Sequence, residues 1–255
     1  MPQSITVQHK NISITFTEED HSYIDMYNNR YTSVTTLIGR GFEKFNAEEI
    51  AKKKAIRENC DWHDLVNEWT EKGERAANEG TRLHENCENQ ILNKYEKMHK
   101  PKSINEKINF DLAFNAVNKI KENHNNIKFE PEKLVFSPKL RLAGSIDLLV
   151  HCIDKKYIIY DWKNIKEISL FGFNNKCGII DATKNVQDSN YWHYALQLQI
   201  YEIILKVENY IPKNAHVSRI LNVFEHGKFN QYELPNMMEN AKNLIKFNLQ
   251  NPENV

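Results

Sequence analysis

The 255-residue chain has no surplus of either charge: 34 Lys and Arg stand against 34 Asp and Glu. It therefore lacks the cationic excess from which affinity for a nucleic-acid backbone ordinarily comes, and any such binding must rest on how charges are distributed. No apolar run approaches the roughly 20 residues of a membrane span. The first residues, Met1-Pro-Gln-Ser-Ile-Thr-Val-Gln8, resemble neither a secretory signal nor an Arg-rich transit peptide, so a cytoplasmic protein without a membrane partner is expected. The four cysteines, Cys60, Cys87, Cys152 and Cys177, form no Cys-X-X-Cys, and Cys87 and Cys152 fall in apolar patterns; reduced thiols follow. There is no internal repeat and no low-complexity linker. What is present is 40% apolar residues, enough for one good core in a single domain spanning 1–255.

The apolar periodicity divides that domain. Residues 12–16 and 22–27 alternate about Glu18-Glu19-Asp20, which predicts a hairpin within an N-terminal part of 1–45. Residues 46–125 read as helical, broken at Pro101-Lys-Ser-Ile-Asn105, with Ser103 or Asn105 as a cap. A core of 128–235 follows: strands at 133–137, 140–151 and 156–162, a helix at 190–207, and strands at 216–224 and 228–234 turned by Glu225-His226-Gly227-Lys228. A closing helix and tail, 236–255, fray from about Asn248. Strands in the middle with helices before and after give an α/β fold with a central mixed sheet flanked by helices.

Two of those strands carry unexpected charge. Apolar runs around Gly144-Ser-Ile-Asp147-Leu-Leu-Val and Tyr157-Ile-Ile-Tyr-Asp161-Trp162-Lys163 bury both acids, and a buried acid needs a proton, a partner or a cation. Lys163, two residues beyond Asp161, shares its face of the strand, so carboxylate and ammonium converge. Upstream, Gly80-Thr-Arg-Leu-His84 lies inside an amphipathic stretch from about Trp69 to about Tyr95, in which Glu88 sits one turn from His84. Downstream, Gln197 and Tyr201 lie one turn apart on a helix with Leu196, Ile200, Ile203 and Ile204 as its core stripe.

In this order, Gly80/His84, Asp147, Asp161-Trp162-Lys163 and Gln197/Tyr201 resemble the motifs of the PD-(D/E)XK nuclease superfamily, in its RecB-like, phage-type exonuclease branch. His21-Ser-Tyr23, Ser33-Val-Thr35 and the Asp188–Gln197 lead-in extend the likeness over residues 12–205. The resemblance implies a restriction-endonuclease-like core and a divalent cation, magnesium or manganese, held by His84, Asp147, Asp161 and the Trp162 backbone carbonyl. Asp147, Asp161 and Lys163 would be catalytic, Gln197 and Tyr201 would brace the site or touch substrate, and Glu88 would support His84 or face solvent. No iron–sulfur cluster is expected, since no cysteine follows Cys177.

The function so implied is metal-dependent hydrolysis of DNA by an exonuclease or single-strand-trimming enzyme of phage or recombination type, in a bacterial or phage-infected cell. Its partners would be DNA with a free or single-stranded end and a helicase or recombination protein. A structure-specific endonuclease such as a junction resolvase, or an inactive nuclease fold that only binds DNA, are the alternatives. A basic rim drawn from Lys52-Lys-Lys54, Arg57, Lys139, Arg141, Lys155-Lys156, Lys163 and Lys166 would offset the neutral balance. The 169–192 segment, with Phe171, Phe173, Tyr191 and Trp192, is expected to thread a single strand; Trp62 and Trp69 are further candidates for stacking on bases.

Overall fold

Strand β6 (Leu142–Cys152) is the axis around which the chain is organised. Along one edge it pairs antiparallel with β5 (Asn126–Ser137) over nearly its whole length. Its other edge is shared. The beginning, Leu142 and Ala143, pairs parallel with β4 (Arg30–Ser33), and Leu148–His151 pairs antiparallel with β7 (Lys156–Asn164). Residues 144–147 thus sit in a fork where one neighbouring strand has ended and the next has begun. A computed structural model describes residues 4–225 and 227–252.

The mixed sheet continues from β7 to a parallel β8 (His216–Glu225) and an antiparallel β9 (Lys228–Glu233). On the far side, β4 follows β1 (Ser4–His9), β2 (Ile12–Thr17) and β3 (Ser22–Asp25) in an antiparallel meander. The expected hairpin is therefore part of a larger four-stranded wall. Strand β3 stops at Asp25 rather than 27 because its carboxylate gathers the Tyr27 and Asn29 amides and the Tyr31 hydroxyl, closing a turn with Asn28 at φ 64°. Gly227 takes φ 74° before β9; its neighbour His226, named in the expected turn, lies outside the described residues, as do 1–3 and 253–255.

Helices cover both faces. On one lie α3 (Trp62–Ile91) and α4 (Ile104–Glu122), whose Leu83, Cys87, Phe110 and Val117 pack on Leu148, Val150, Tyr160 and Trp162. On the other lie α1 (Val34–Gly39), α5 (Asn190–Val207) and α6 (Met238–Gln250), packed on Ile146, Leu149, Ile159 and Leu221. Ser103 caps α4 by accepting from the Glu106 amide, as the sequence suggests. Buried Glu106 ion-pairs with Arg82 and so ties α4 to α3. Helix α5 is enclosed on every side from Ala195 to Leu205; its buried Glu202 is answered by Lys206 at 2.7 Å and by Arg219 of β8.

Helix α2 (Ala47–Glu58) and the first part of α3 form an arm with a small core of their own: Ala51, Ala55 and Leu65. Between that arm and the body, Thr70–Asn78 of α3 is exposed on all sides. The expected basic rim dissolves here. Lys52 pairs with Glu48 at 2.5 Å, Lys53 with Glu49 at 2.6 Å, and Lys54 and Arg57 with Glu58, each within its own helix. Lys52 and Lys54 lie over the Trp62 and Trp69 rings, so those tryptophans bind the arm together. Lys155 and Lys156 sit at the β6–β7 turn, about 23 Å of strand away from Lys163. All four cysteines are free, and no described helix is long and apolar enough to cross a membrane.

Candidate metal centre and its cleft

The fork in the sheet concentrates the acids. Asp147 projects from the stretch of β6 whose β4/β7 edge is open, and its Oδ2 accepts from the Trp162 amide at 2.8 Å, closing the gap before regular β6–β7 pairing starts. Glu132 lies directly across β5–β6 from Asp147, between the registered pairs Pro131/Leu148 and Lys133/Ile146. It does so with φ 43°, a left-handed backbone that costs a non-glycine residue about 1–2 kcal/mol. His84 approaches from α3. Its Nδ1 is 3.5 Å from Asp147 Oδ2 and 3.9 Å from Glu132 Oε1, and its Nε2–H donates to the Trp162 carbonyl at 2.8 Å. One ligand atom each from His84, Glu132 and Asp147 falls within 4.8 Å of the others.

Alternation along β7 turns Asp161 and Lys163 toward α5. Asp161 is buried; Lys163 Nζ reaches its Oδ2 at 2.8 Å, while Gln197 Nε2 of α5 stands 3.5 Å from its Oδ1. The Oδ2 atom accepts no hydrogen bond, so the ion pair alone compensates it. Lys163 also lies 5.1 Å over the Tyr194 ring. Tyr201 is fixed by close approach to Gly144: a Cβ there would fall 2.8 Å from the tyrosine hydroxyl. Glu88 lines the adjoining cleft one turn from His84.

The electrostatics of the site are strongly negative. Burial depresses the His84 imidazole, but the Asp147 carboxylate, helped by Glu132, outweighs it and pushes the pKa up to about 9. Burial pushes Asp161 up to about 6, with Lys163 working against it and Asp147 adding to it. Burial disfavours the Lys163 ammonium, yet Asp161 and Asp147 hold its pKa above the ordinary lysine range. Glu88 is raised by burial and then by Glu132.

These donors fit a hard divalent cation. Carboxylate oxygens, an imidazole and a backbone carbonyl converge, and His84 carries a proton that a cation would displace. The anticipated residues His84, Asp147, Trp162, Asp161, Lys163, Gln197 and Tyr201 all gather here. Asp161 lies outside the tight group, engaged by Lys163 and Gln197, and Glu132 occupies the third place. Sequence reading missed Glu132. Its one signal is Pro131, a residue that within a strand marks an edge or an irregularity, and β5 is an edge strand here.

The 169–192 segment, expected to thread a strand, is fastened down. Ile179 N and Thr183 Oγ1 both donate to the Gly41 carbonyl, at 2.8 and 2.7 Å, and Trp192 Nε1 donates to the Leu170 carbonyl at 2.9 Å. Only Phe171 and Phe173 at its tip are exposed aromatics.

Comparison with protein-family models finds no match, and neither does comparison with curated proteins. Among solved structures, the chain is similar to one named "putative exonuclease" from Eubacterium rectale: 12% identity, TM-score 0.42, 68% of this chain and 65% of that one. This chain therefore spans just under two thirds of that neighbour's length. It is also similar to SSO0001, at 15% identity and a TM-score of 0.26, over 59% of this chain and 69% of that one.

Proposed function

We propose that this protein is a divalent-metal-dependent deoxyribonuclease, an exonuclease or single-strand-trimming enzyme. The observation that carries the reading is the convergence of His84, Glu132 and Asp147 within 4.8 Å, beside the Asp161–Lys163 pair, at a fork in the sheet that opens on a cleft. A structural core has no need of three acids and a histidine gathered about one point.

His84, Glu132, Asp147, Asp161 and the Trp162 carbonyl would hold magnesium or manganese, which when bound polarises a phosphate oxygen and lowers the pKa of a coordinated water. The chain's own residues do the rest. Lys163, held beside Asp161 at 2.8 Å, places a positive charge where negative charge grows on the phosphate. Gln197 holds Asp161 from the α5 side. Tyr201, wedged against Gly144, keeps α5 at the distance that this bracing requires. Trp162, buried with its amide on Asp147, prevents that carboxylate from swinging away.

The test is cleavage of labelled linear and circular single-stranded DNA with manganese and with EDTA. Metal-dependent degradation of the linear form is expected, with Lys163→Ala slower by about 10²–10³-fold. Rapid cutting of circles would replace the exonuclease by an endonuclease. Absence of any metal-dependent cleavage, with DNA still bound, would leave a binding module.

A further inference from the structure

Next to the metal centre is a cleft of about 770 Å³ whose walls do not suit a phosphate backbone. Among its lining residues are Glu18, Glu85, Glu88 and Glu132, and neither lysine nor arginine. The lysine of the site, Lys163, lies outside this lining, against Tyr194 of α5. A polyanion entering the cleft would meet Glu18, Glu85 and Glu88 outside the metal centre, with no lysine or arginine in the lining to offset its phosphates.

The wall facing α3 is aromatic and apolar instead. Strand register places Ile5, Phe16 and Tyr23 in one row across β1, β2 and β3. His21, exposed at the tip of the β2–β3 turn, packs edge-on against Phe16 at 5.1 Å, and the Phe16 and Tyr23 rings are 4.7 Å apart. Phe16 is only partly covered by the core beneath it, which leaves ring surface toward the cleft. Ser33, Thr35 and Gln197 add hydrogen-bonding groups that carry no charge.

We infer that this cleft is a nucleobase pocket. It seats the base of the terminal nucleotide against Phe16 and His21, while the remaining strand leaves the metal centre on the Lys163 and Tyr194 side. The inference rests on the nuclease reading and deepens it. A cleft with an aromatic wall, uncharged hydrogen-bonding groups and no lysine or arginine accepts the neutral part of a nucleotide, and its volume is in the range of a small-molecule site. Degradation then proceeds from an end, with the terminal base held in the cleft.

The test uses single-stranded oligonucleotides carrying 2-aminopurine at one end, at the other end, or internally, bound to the protein in calcium. Quenching is expected for one terminal position and not for the internal one. Phe16→Leu, which keeps apolar volume but loses the ring, and His21→Ala, an exposed position, should each weaken binding, within the range of about 5- to 150-fold set by base–aromatic stacking. An oligonucleotide with an abasic terminal residue should show the same loss with wild type, and no further loss with Phe16→Leu. Equal quenching at all positions, or a KM that neither Phe16→Leu nor the abasic end changes while cleavage persists, overturns the pocket and leaves the nuclease standing. Terminal quenching without metal-dependent cleavage keeps the pocket and removes the nuclease.

Discussion

At the scale of single residues, Glu132 is the position where function and backbone conflict. Its left-handed conformation costs glutamate and alanine alike about 1–2 kcal/mol, whereas glycine adopts it freely. Both replacements also remove a carboxylate facing Asp147. In EDTA, Glu132→Gly should therefore melt above Glu132→Ala by roughly 2–4 °C for each 1 kcal/mol of strain relieved, although glycine loses more entropy on folding. Both variants should fail to cleave DNA with manganese. A Glu132→Gly variant that melts below Glu132→Ala would show that the backbone at 132 is unstrained, since only glycine's entropy cost would then remain. The same residue explains what the sequence hides. His84, Asp147, Asp161 and Lys163 were legible because apolar runs fix which face each occupies. Glu132 was not, because its side chain reaches the site through a kink that the strand's period of two does not contain.

At the scale of elements, the site depends on how closely α5 approaches the fork in β6. Gly144→Ala would set a methyl 2.8 Å from the Tyr201 hydroxyl and 2.9 Å from its ring, so the buried tyrosine or the strand must shift. The expected cost is about 1–3 kcal/mol, read as a lower urea midpoint at unchanged m-value. In a Tyr201→Phe background the cost should shrink, since the nearest atom is gone; an unchanged cost would place the strain elsewhere. Helix α5 itself matched its expected limits of 190–207, because apolar period and length agree. Strand β1 was missed for the opposite reason. It is an edge strand exposed at most positions, and it forms because β2 offers it a ladder. Similarly, β6 begins at 142 rather than 140 because Arg141 takes φ 54° and Ser137 Oγ accepts from the Leu140 amide, a turn that precedes the strand. Tyr95 falls outside α3 because Asn93, at φ 58°, follows the helix end.

At the scale of the whole molecule, the charge that the sequence balances to zero is unevenly placed, and the metal centre holds an excess of acid that a proton partly neutralises. His84 has a folded pKa of about 9 against 6.5 for a free imidazole. A group raised in the folded state contributes stability that is complete below its unfolded pKa and is lost as pH rises through its folded pKa. In EDTA the wild type should therefore lose stability between pH 6.5 and 9, by about 2–3 kcal/mol from this group. His84→Gln should show a correspondingly flatter melting profile over that window. Asp161, also raised, acts in the same direction but between 3.8 and about 6, and the lowered His193 acts below 6.5, so neither contributes to the window. A bound cation reverses the slope. Magnesium at a hundredfold excess over Kd adds about 2.7 kcal/mol, and because it must displace the His84 proton, the gain should be larger at pH 8.5 than at pH 6.5. Melting curves at both pH values, with magnesium and with EDTA, decide the matter. A magnesium increment that is the same at both values would remove His84 from the ligand set, and no increment at either would remove the metal.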